Sequence, residues 1–394
     1  MISIPDNFIS MIAGYFLSSR NKKNNFIKDF ERTFSEYTGI KHSVATCSGR
    51  IALLLILKAY NFPADSEIIL PAYEDISLLD MIEKMSLKPV FVDIDKNTAN
   101  ILPDDINKAI TDNTAAIIVA HLFGNPADII EITELAKLKK LIVIEDCAHS
   151  LGTRIKDRHT GTFGNAAFFS FDTTKPGTTF GGGMAITDND LIFNKISEFS
   201  NILSTTNKTE LIRRVIIGLI IKMMTVRIVY GLLIFPALYV CYLFDIDTLD
   251  LYNMFFRKHV SIKLKMSNFT CLQAYIGLMQ MKLLDKNLQK RKRNALLLDR
   301  HISEKIKRLQ YSTGSNYYFY VIKTDKIDAA RKTLFTYGID TGKNLMRNCG
   351  KNSNTDFVNT ELLLNKSMQI PVYETLSTRT ILKISEIINK VLVN

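Results

Sequence analysis

From Tyr37 to about Asp190 the chain alternates short apolar, β-branched runs with stretches of helical apolar spacing, and few architectures accept that alternation. Strands joined by crossover helices build a mostly parallel sheet with both faces covered. Strands are expected over residues 67–70, 89–92, 115–120, 141–144 and 166–171, and helices over 51–60, 76–85 and 129–139. The polar breakers Pro63-Ala64-Asp65, 95–100 and Asn125-Pro126 mark the connections. With 394 residues, 47% of them hydrophobic, the chain has material for two or three domains.

Residues 211–244 break this pattern. Residues 215–221 are apolar, Lys222 and Arg227 intervene, and 228–244 runs uncharged with Pro236 in its middle. A spanning helix needs roughly 20 apolar residues, and this run falls short. A single crossing would also put two parts of one globular fold on opposite faces of the bilayer. A monotopic or re-entrant insertion is therefore expected, against the competing reading of a buried helical hairpin or oligomer interface. Arg213, Arg214, Lys222 and Arg227 flank the apolar pieces, with Arg257, Lys258, Lys263 and Lys265 further on, and such side chains reach anionic headgroups. Residues 8–17, followed by Arg20, Lys22 and Lys23, read first as a helix on the core and second as a further membrane contact. Beyond the insert, a long helix over 273–300, a strand over 317–323, a helix over 326–337 closed at Gly338 and a terminal helix over 378–393 predict a smaller α/β domain.

The net charge of +11 invites a nucleic-acid reading, but no finger, helix-turn-helix or aromatic-interleaved RNA motif accompanies it. A basic surface facing anionic phospholipid accounts for the charge, and no nucleic-acid partner is expected. Cys47, Cys147, Cys241, Cys271 and Cys349 are odd in number and far apart, without CxxC or Cys/His spacing for zinc. Reduced thiols in a cytoplasmic compartment and no metal are the expectation. Residues 8–17 have neither a basic leader nor a cleavage site, so no signal peptide is expected.

Three short motifs carry chemistry. Phe168-Phe-Ser170-Phe-Asp-Thr-Thr-Lys175-Pro-Gly-Thr-Thr-Phe-Gly-Gly-Gly-Met184 is a strand ending in a polar turn with one lysine and then three glycines. Alone, Lys175 reads more readily as a surface residue or a phosphate ligand than as a catalyst. Upstream, Leu141-Ile-Val-Ile-Glu145-Asp146-Cys-Ala-His149 puts an acidic pair at the carboxyl end of a buried strand, where open α/β sheets bind ligands. A protonated pyridine nitrogen would partner Asp146, and His149, three residues on, would reach the ring's phenolic edge; an isolated histidine is more often a cap or core residue. Ala45-Thr-Cys-Ser48-Gly49-Arg50 turns from strand into helix, and a helix N-terminus offers free N–H groups to a phosphate.

Taken in order, these segments resemble the DegT/DnrJ/EryC1/StrS family of pyridoxal-phosphate (PLP) dependent sugar aminotransferases. Pro89-Val-Phe-Val-Asp93, Ala120-His-Leu-Phe-Gly124-Asn-Pro-Ala127, Gly161-Thr-Phe-Gly164, Leu272-Gln-Ala-Tyr-Ile-Gly277, Tyr337-Gly-Ile-Asp340 and Ile370-Pro-Val372 extend the match over most of the chain. The resemblance implies the α/β type I PLP-transferase fold, a large mostly parallel α/β/α sheet domain plus a smaller C-terminal α/β domain. It divides the chain into an N-terminal helical segment (1–32), a PLP-binding domain (33–210), a membrane-associating insert (211–259) and a small domain (260–394). It implies that Lys175 carries the cofactor and moves the substrate proton, that Asp146 holds the ring nitrogen, that His149 stands at the phenolic oxygen, and that Ser170 with Ser48 and Gly49 binds phosphate. Arg50 replaces the usual threonine with a guanidinium suited to the same phosphate. The ring-stacking aromatic falls on Asp75, with Tyr73 two residues away as the substitute; Gly181 replaces a glutamate, and the family's loop into the neighbouring subunit is not cleanly matched near 265–268. The expected activity is amino transfer from an amino-acid donor, glutamate, to a nucleotide- or lipid-linked keto-sugar in cell-surface polysaccharide or glycolipid synthesis. A homodimer on the inner face of the cell membrane is expected, docked through 211–244. A PLP-dependent sugar dehydratase and a non-catalytic membrane scaffold or regulator are the alternatives; the retained Lys175 argues against the first.

Overall fold

The expected alternation closes into one seven-stranded sheet in a computed structural model that describes residues 8–18, 25–202, 208–224, 226–244, 268–343, 346–353 and 355–393. The chain begins with α1 (Phe8–Leu17), α2 (Phe26–Thr38), β1 (His42–Thr46), α3 (Gly49–Tyr60), β2 (Glu67–Pro71) and β3 (Tyr73–Glu74). It continues through α4 (Leu79–Lys84), β4 (Lys88–Val92), α5 (Pro103–Ala109), β5 (Thr114–Ala120), α6 (Ile129–Lys139) and β6 (Ile142–Asp146). A hairpin of β7 (Arg154–Ile155) and β8 (Arg158–His159) precedes β9 (Ala166–Ser170), β10 (Gly183–Thr187) and α7 (Asp190–Ile202). The strand order is β1-β10-β9-β6-β5-β2-β4, with β4, β2, β5, β6 and β9 mutually parallel and β10 reversed between β9 and β1.

Both faces of the sheet are apolar because its strands alternate between two helix layers. Ile68, Leu70, Ala116, Ile118, Ile144 and Phe168 pack with α3 and with Ile192 and Ile196 of α7. Their neighbours Ile69, Ile117, Val119 and Val143 meet α6 on the opposite face, while Phe169, Met184 and Ile186 meet the aromatic stripe Phe26, Phe30 and Phe34 of α2. Each fully buried side chain of this size contributes about 1.5–3 kcal/mol, which fixes the register strongly: a one-residue slip would exchange the two faces.

The following helical layer comprises α8 (Lys208–Met224), Arg227–Val229, a π-helical turn Tyr230–Ile234 and α9 (Phe235–Leu243). The long α10 (Cys271–His301) then opens with a capping box, Thr270 and Gln273 bonding each other's backbone N–H groups. The C-terminal part adds β11 (Lys307–Arg308), β12 (Tyr320–Lys323), α11 (Ile327–Thr336), β13 (Arg347–Asn348), α12 (Val358–Lys366), β14 (Ser367–Ile370) and α13 (Thr378–Val393). Its antiparallel sheet, β11-β12-β14, packs against α10, α11 and α13 through Ala295, Leu298, Leu334, Ile381 and Ile388. The two-stranded β3·β13 ladder joins this part to the large sheet.

Two expected elements differ by more than two residues at an end. The helix over 76–85 divides into a 3₁₀ turn Ile76–Leu78 and α4, because Asp75 caps the turn by accepting from the Ser77 N–H at 2.9 Å. The strand over 317–323 begins at Tyr320, since Tyr317 takes a left-handed φ of 51°. Residues 245–259, Arg20, Lys22, Lys23, Lys263 and Lys265 lie outside the described residues. Among the described residues no helix is long and apolar enough to cross a membrane.

Candidate active site

Asp146 ends β6, between two parallel neighbours, so its carboxylate emerges at the carboxyl edge of the sheet with 5% exposure. Its Oδ1 accepts from the Ala148 N–H at 2.8 Å. Burial pushes the carboxyl up to about 6, against the pull of that N–H and of the Lys175 and His121 charges. Adjacent Glu145 is treated differently. It is wholly buried and accepts from the N–H groups of Gly161, Phe163 and Gly164 at 2.6–2.7 Å. His121 Nε2 stands 3.0 Å from the same carboxylate while its Nδ1 accepts from the Ala127 N–H at 3.0 Å. The acidic pair thus splits into a saturated anchor and a carboxylate open to a ligand. His121, Glu145 and Cys147 lie close enough together for a metal, but the His121 and Glu145 ligand atoms are already engaged within the protein.

Lys175 sits in the turn after β9. Its backbone N–H bonds Asp172 O at 2.9 Å, and the Phe171 N–H bonds Gly182 O at 2.9 Å across the base of the turn. Gln273 of α10 donates to Gly181 O at 2.8 Å and ties the turn to the long helix. The Lys175 ammonium lies 5.0 Å from the centroid of the Tyr318 ring, a cation–π geometry, and its charge acts on both Asp146 and His149.

His149 is buried beside the same ring, 4.6 Å between centroids. Its Nδ1 accepts from the Phe123 N–H at 3.4 Å, and Phe123 adopts a left-handed φ of 58° there. With Nδ1 accepting, the ring proton belongs on Nε2, which makes His149 a donor on its free side. Burial and then the Lys175 charge hold its pKa well below the usual histidine range, so the ring is neutral.

The third element is a cradle. Ser48 caps α3 by accepting from the Ile51 N–H at 3.3 Å, and the first N–H groups of such a helix have no partner within it. A Cβ on Gly49 would come within 3.1 Å of Ser170 Cβ, and one on Gly183 within 2.5 Å of Gly49 N. Glycine is therefore what lets β9, β10 and the Ser48-Gly49 turn close on one another, bringing Ser48, Gly49 and Ser170 together. Arg50 is half-buried on the first turn of α3.

Tyr73 is not brought to this group. It is 1% exposed and its ring lies 6.1 Å from that of Phe123 in the core. Successive residues of a strand point to opposite sides, so the next residue, Glu74, takes the other side, where the charges of Asp146, Asp75 and Lys175 act on it. Sequence reasoning missed Glu74 because attention fell on the aromatic beside it. It also missed Tyr318, which arrives from the C-terminal part, located by Arg291 donating to its carbonyl at 3.1 Å and by its own N–H on Asn316 Oδ1 at 2.8 Å. Nothing local in the run Tyr317-Tyr318-Phe319-Tyr320 marks one ring as special.

A protonated pyridine ring bearing a phosphate and a phenolic oxygen fits this geometry: an available buried carboxylate, a neutral imidazole donor, a glycine cradle at a helix N-terminus and one lysine. The sequence pattern of the DegT/DnrJ/EryC1/StrS aminotransferase family matches residues 4–233. GDP-perosamine synthase of Escherichia coli O157:H7 is 36% identical over 179 residues, 45% of this chain and 49% of that one. The Vibrio cholerae GDP-perosamine synthase is 31% identical over 186 residues, 47% and 50% of the two chains. The chain thus spans about half the length of the curated relatives it matches. Among solved structures, Helicobacter pylori PseC, an aminotransferase involved in pseudoaminic acid biosynthesis, superposes with a TM-score of 0.76 at 20% identity, covering 100% of this chain and 98% of that one. An aminotransferase from Psychrobacter cryohalolentis gives 0.77 at 21%, with coverage of 100% and 98%.

Proposed function

This chain belongs to the DegT/DnrJ/EryC1/StrS aminotransferase family, and from that premise we propose that it is a PLP-dependent enzyme moving an amino group from glutamate to a keto-sugar carried on a nucleotide or a lipid. The observation that carries the reading is the convergence of Lys175, Asp146, His149 and the Ser48-Gly49/Ser170 cradle at one edge of the sheet. The cofactor supplies an electron sink for the carbon that loses its proton.

The chain's own residues divide the remaining work. Asp146 holds the ring-nitrogen proton by its negative charge. The His149 Nε2–H donates to the phenolic oxygen, and the neutrality of that imidazole avoids a second cation beside Lys175. Ser48, Gly49 and Ser170 hold the phosphate through hydroxyl and N–H groups, with Arg50 contributing its charge from the helix turn. Lys175 anchors the cofactor through Nζ and, once freed, takes the proton at Nζ and returns it. The Tyr318 face steadies that ammonium while it waits.

The finer reading is a homodimer on the inner face of the cell membrane, docked by the helical layer. Along α8, Ile212, Ile216, Ile220 and Met223 recur at spacings of four, four and three with 46–66% exposure. Val215 and Leu219, beside them on the same broad face of α8, pack toward Leu272 and Ile276 of α10 and toward Phe180. The apolar stripe of α8 is thus wider than its contact with the core, and the uncovered part needs a second apolar medium. Ile228, Leu232 and Leu233 extend the exposed face, and α1 adds Ile9 and Leu17.

The test is to reduce the PLP-loaded protein with borohydride, locate the modified lysine by peptide mass, and ask whether glutamate converts the cofactor to its amine form. Label on Lys175 with glutamate conversion supports the reading; absence of bound cofactor under saturating PLP defeats it. Flotation with phosphatidylglycerol vesicles tests the docking face separately.

A further inference from the structure

Glu74 is 3% exposed, and its carboxylate is only half satisfied. Oε1 accepts from the Asp75 N–H at 2.9 Å, whereas Oε2 has no hydrogen-bond partner among the described residues. The side chain is fixed by its backbone: Glu74 pairs with Arg347 in the β3·β13 ladder, its carbonyl accepts from Cys349 Sγ at 3.5 Å, and Tyr73 takes the opposite side of the strand. The charged and titratable groups acting on it are Asp146 from β6, Asp75 from its own turn, Lys175 from the turn after β9, and Cys349.

A buried carboxylate oxygen with no donor is among the costliest groups a fold can hold while it stays ionised, and two neighbouring carboxylates raise the cost further. Among the described residues the cation acting on it is Lys175, which also acts on Asp146. A proton on Oε2 removes the charge and creates an O–H donor that none of the described residues receives. We propose that Glu74 is a neutral acid that donates a hydrogen bond from Oε2 to an uncharged oxygen of the bound sugar, making it a specificity-determining residue of this site. The identity of the acceptor rests on the aminotransferase reading above. A hydroxyl or carbonyl oxygen suits a neutral donor, whereas a substrate ammonium would call for the ionised form.

Glu74→Gln keeps this arrangement, since the amide oxygen accepts from Asp75 and the amide N–H donates where Oε2–H did. Glu74→Leu removes both. With the keto-sugar as varied substrate, Glu74→Gln is expected to keep KM within about threefold of wild type, and Glu74→Leu to raise it roughly tenfold at little change in kcat, the factor for one neutral hydrogen bond made equally in ground and transition states. Equal damage in the two variants would mean that charge is what matters, and would overturn the proposal. A second readout is independent of turnover: the infrared difference spectrum between wild type and Glu74→Gln near neutral pH, in the PLP-loaded protein, should contain the carbonyl stretch of a protonated carboxylic acid. Its absence overturns the proposal even if amino transfer is observed. Its presence in a protein that transfers no amino group supports the neutral acid while defeating the transferase reading.

Discussion

The carboxyl edge of the sheet and the helical layer over 208–244 resolve opposite problems. At the sheet edge polar groups have been taken out of water and then paired. Glu145 has three backbone donors and His121, His149 has the Phe123 N–H, and Asn316 donates to the carbonyls of His149 and Leu151 at 2.9 and 3.0 Å. The groups left over, Asp146, Glu74 Oε2 and the Lys175 ammonium, are those a ligand would complete. In the helical layer apolar groups have been left in water. Ile212, Ile216, Ile220 and Met223 on α8 lie exposed beside Val215 and Leu219, which pack on the core. The first region is incomplete without a small polar molecule, the second without an apolar surface. They touch at Phe180, five residues after Lys175, which joins Met11, Leu272 and Ile276 in the cluster beneath α8.

If this contrast is right, mutations at the sheet edge act on chemistry or on folding in ways set by how well each group is paired. Lys175→Ala should lower amino transfer by at least ~10³-fold with an unchanged far-ultraviolet circular dichroism spectrum, the scale expected for a positioned proton-transfer group; a loss below tenfold in single-turnover assays would remove Lys175 from the centre of the site. Glu145→Ala should cost about 3–5 kcal/mol in urea unfolding, since it strands His121 and three N–H groups in the interior. A cost near 1 kcal/mol would mean that water replaces the carboxylate, and that the distinction between anchor and ligand group is false.

Asp146→Asn separates stability from function. The folded pKa of Asp146 is raised, so the folded state binds the extra proton between the ordinary carboxylate range and about 6. Its contribution is therefore present at low pH and lost as pH rises through about 6. The cofactor-free Asn variant should be more stable than wild type near pH 8, by up to about 3 kcal/mol, and the advantage should vanish near pH 4. PLP affinity should fall in the same variant, as equilibrium dialysis would register. A variant less stable at pH 8 would show that Asp146 is already paired within the protein.

The smallest expected change in stability lies in the helical layer. Ile216→Glu with Ile220→Lys should shift unfolding by less than about 0.5 kcal/mol, because both side chains face solvent, yet should abolish flotation with anionic vesicles. Vesicle binding that survives the pair would move the docking face elsewhere; a large destabilisation would make α8 part of a protein interface.

Much of the candidate site was legible as a place in the fold, because its residues lie within short motifs at a strand end. Asp146 ends a run of buried aliphatics, Ser48-Gly49 opens a helix, and Lys175 is the single cation of its turn; these positions follow from local pattern. Glu74 and Tyr73 show where that stops. Both occupy one dipeptide, and which of them faces the site depends on β13, more than 270 residues away, pairing with β3. Tyr318 reaches Lys175 only because Arg291 and Asn316 hold its backbone across the junction of the two parts.

The sequence by itself determined the parallel sheet, through apolar runs separated by helices, and which polar groups stand at its carboxyl edge, because strand ends and helix starts are local facts of the chain. Tertiary structure alone decided which polar groups found partners. Glu145 and Asp146 are neighbours of the same charge, and only the loop over 161–164 and His121, folded back onto one of them, made that one an anchor and left the other for a ligand. Pairing in the interior is settled by geometry between distant segments, and no stretch of sequence carries that information alone.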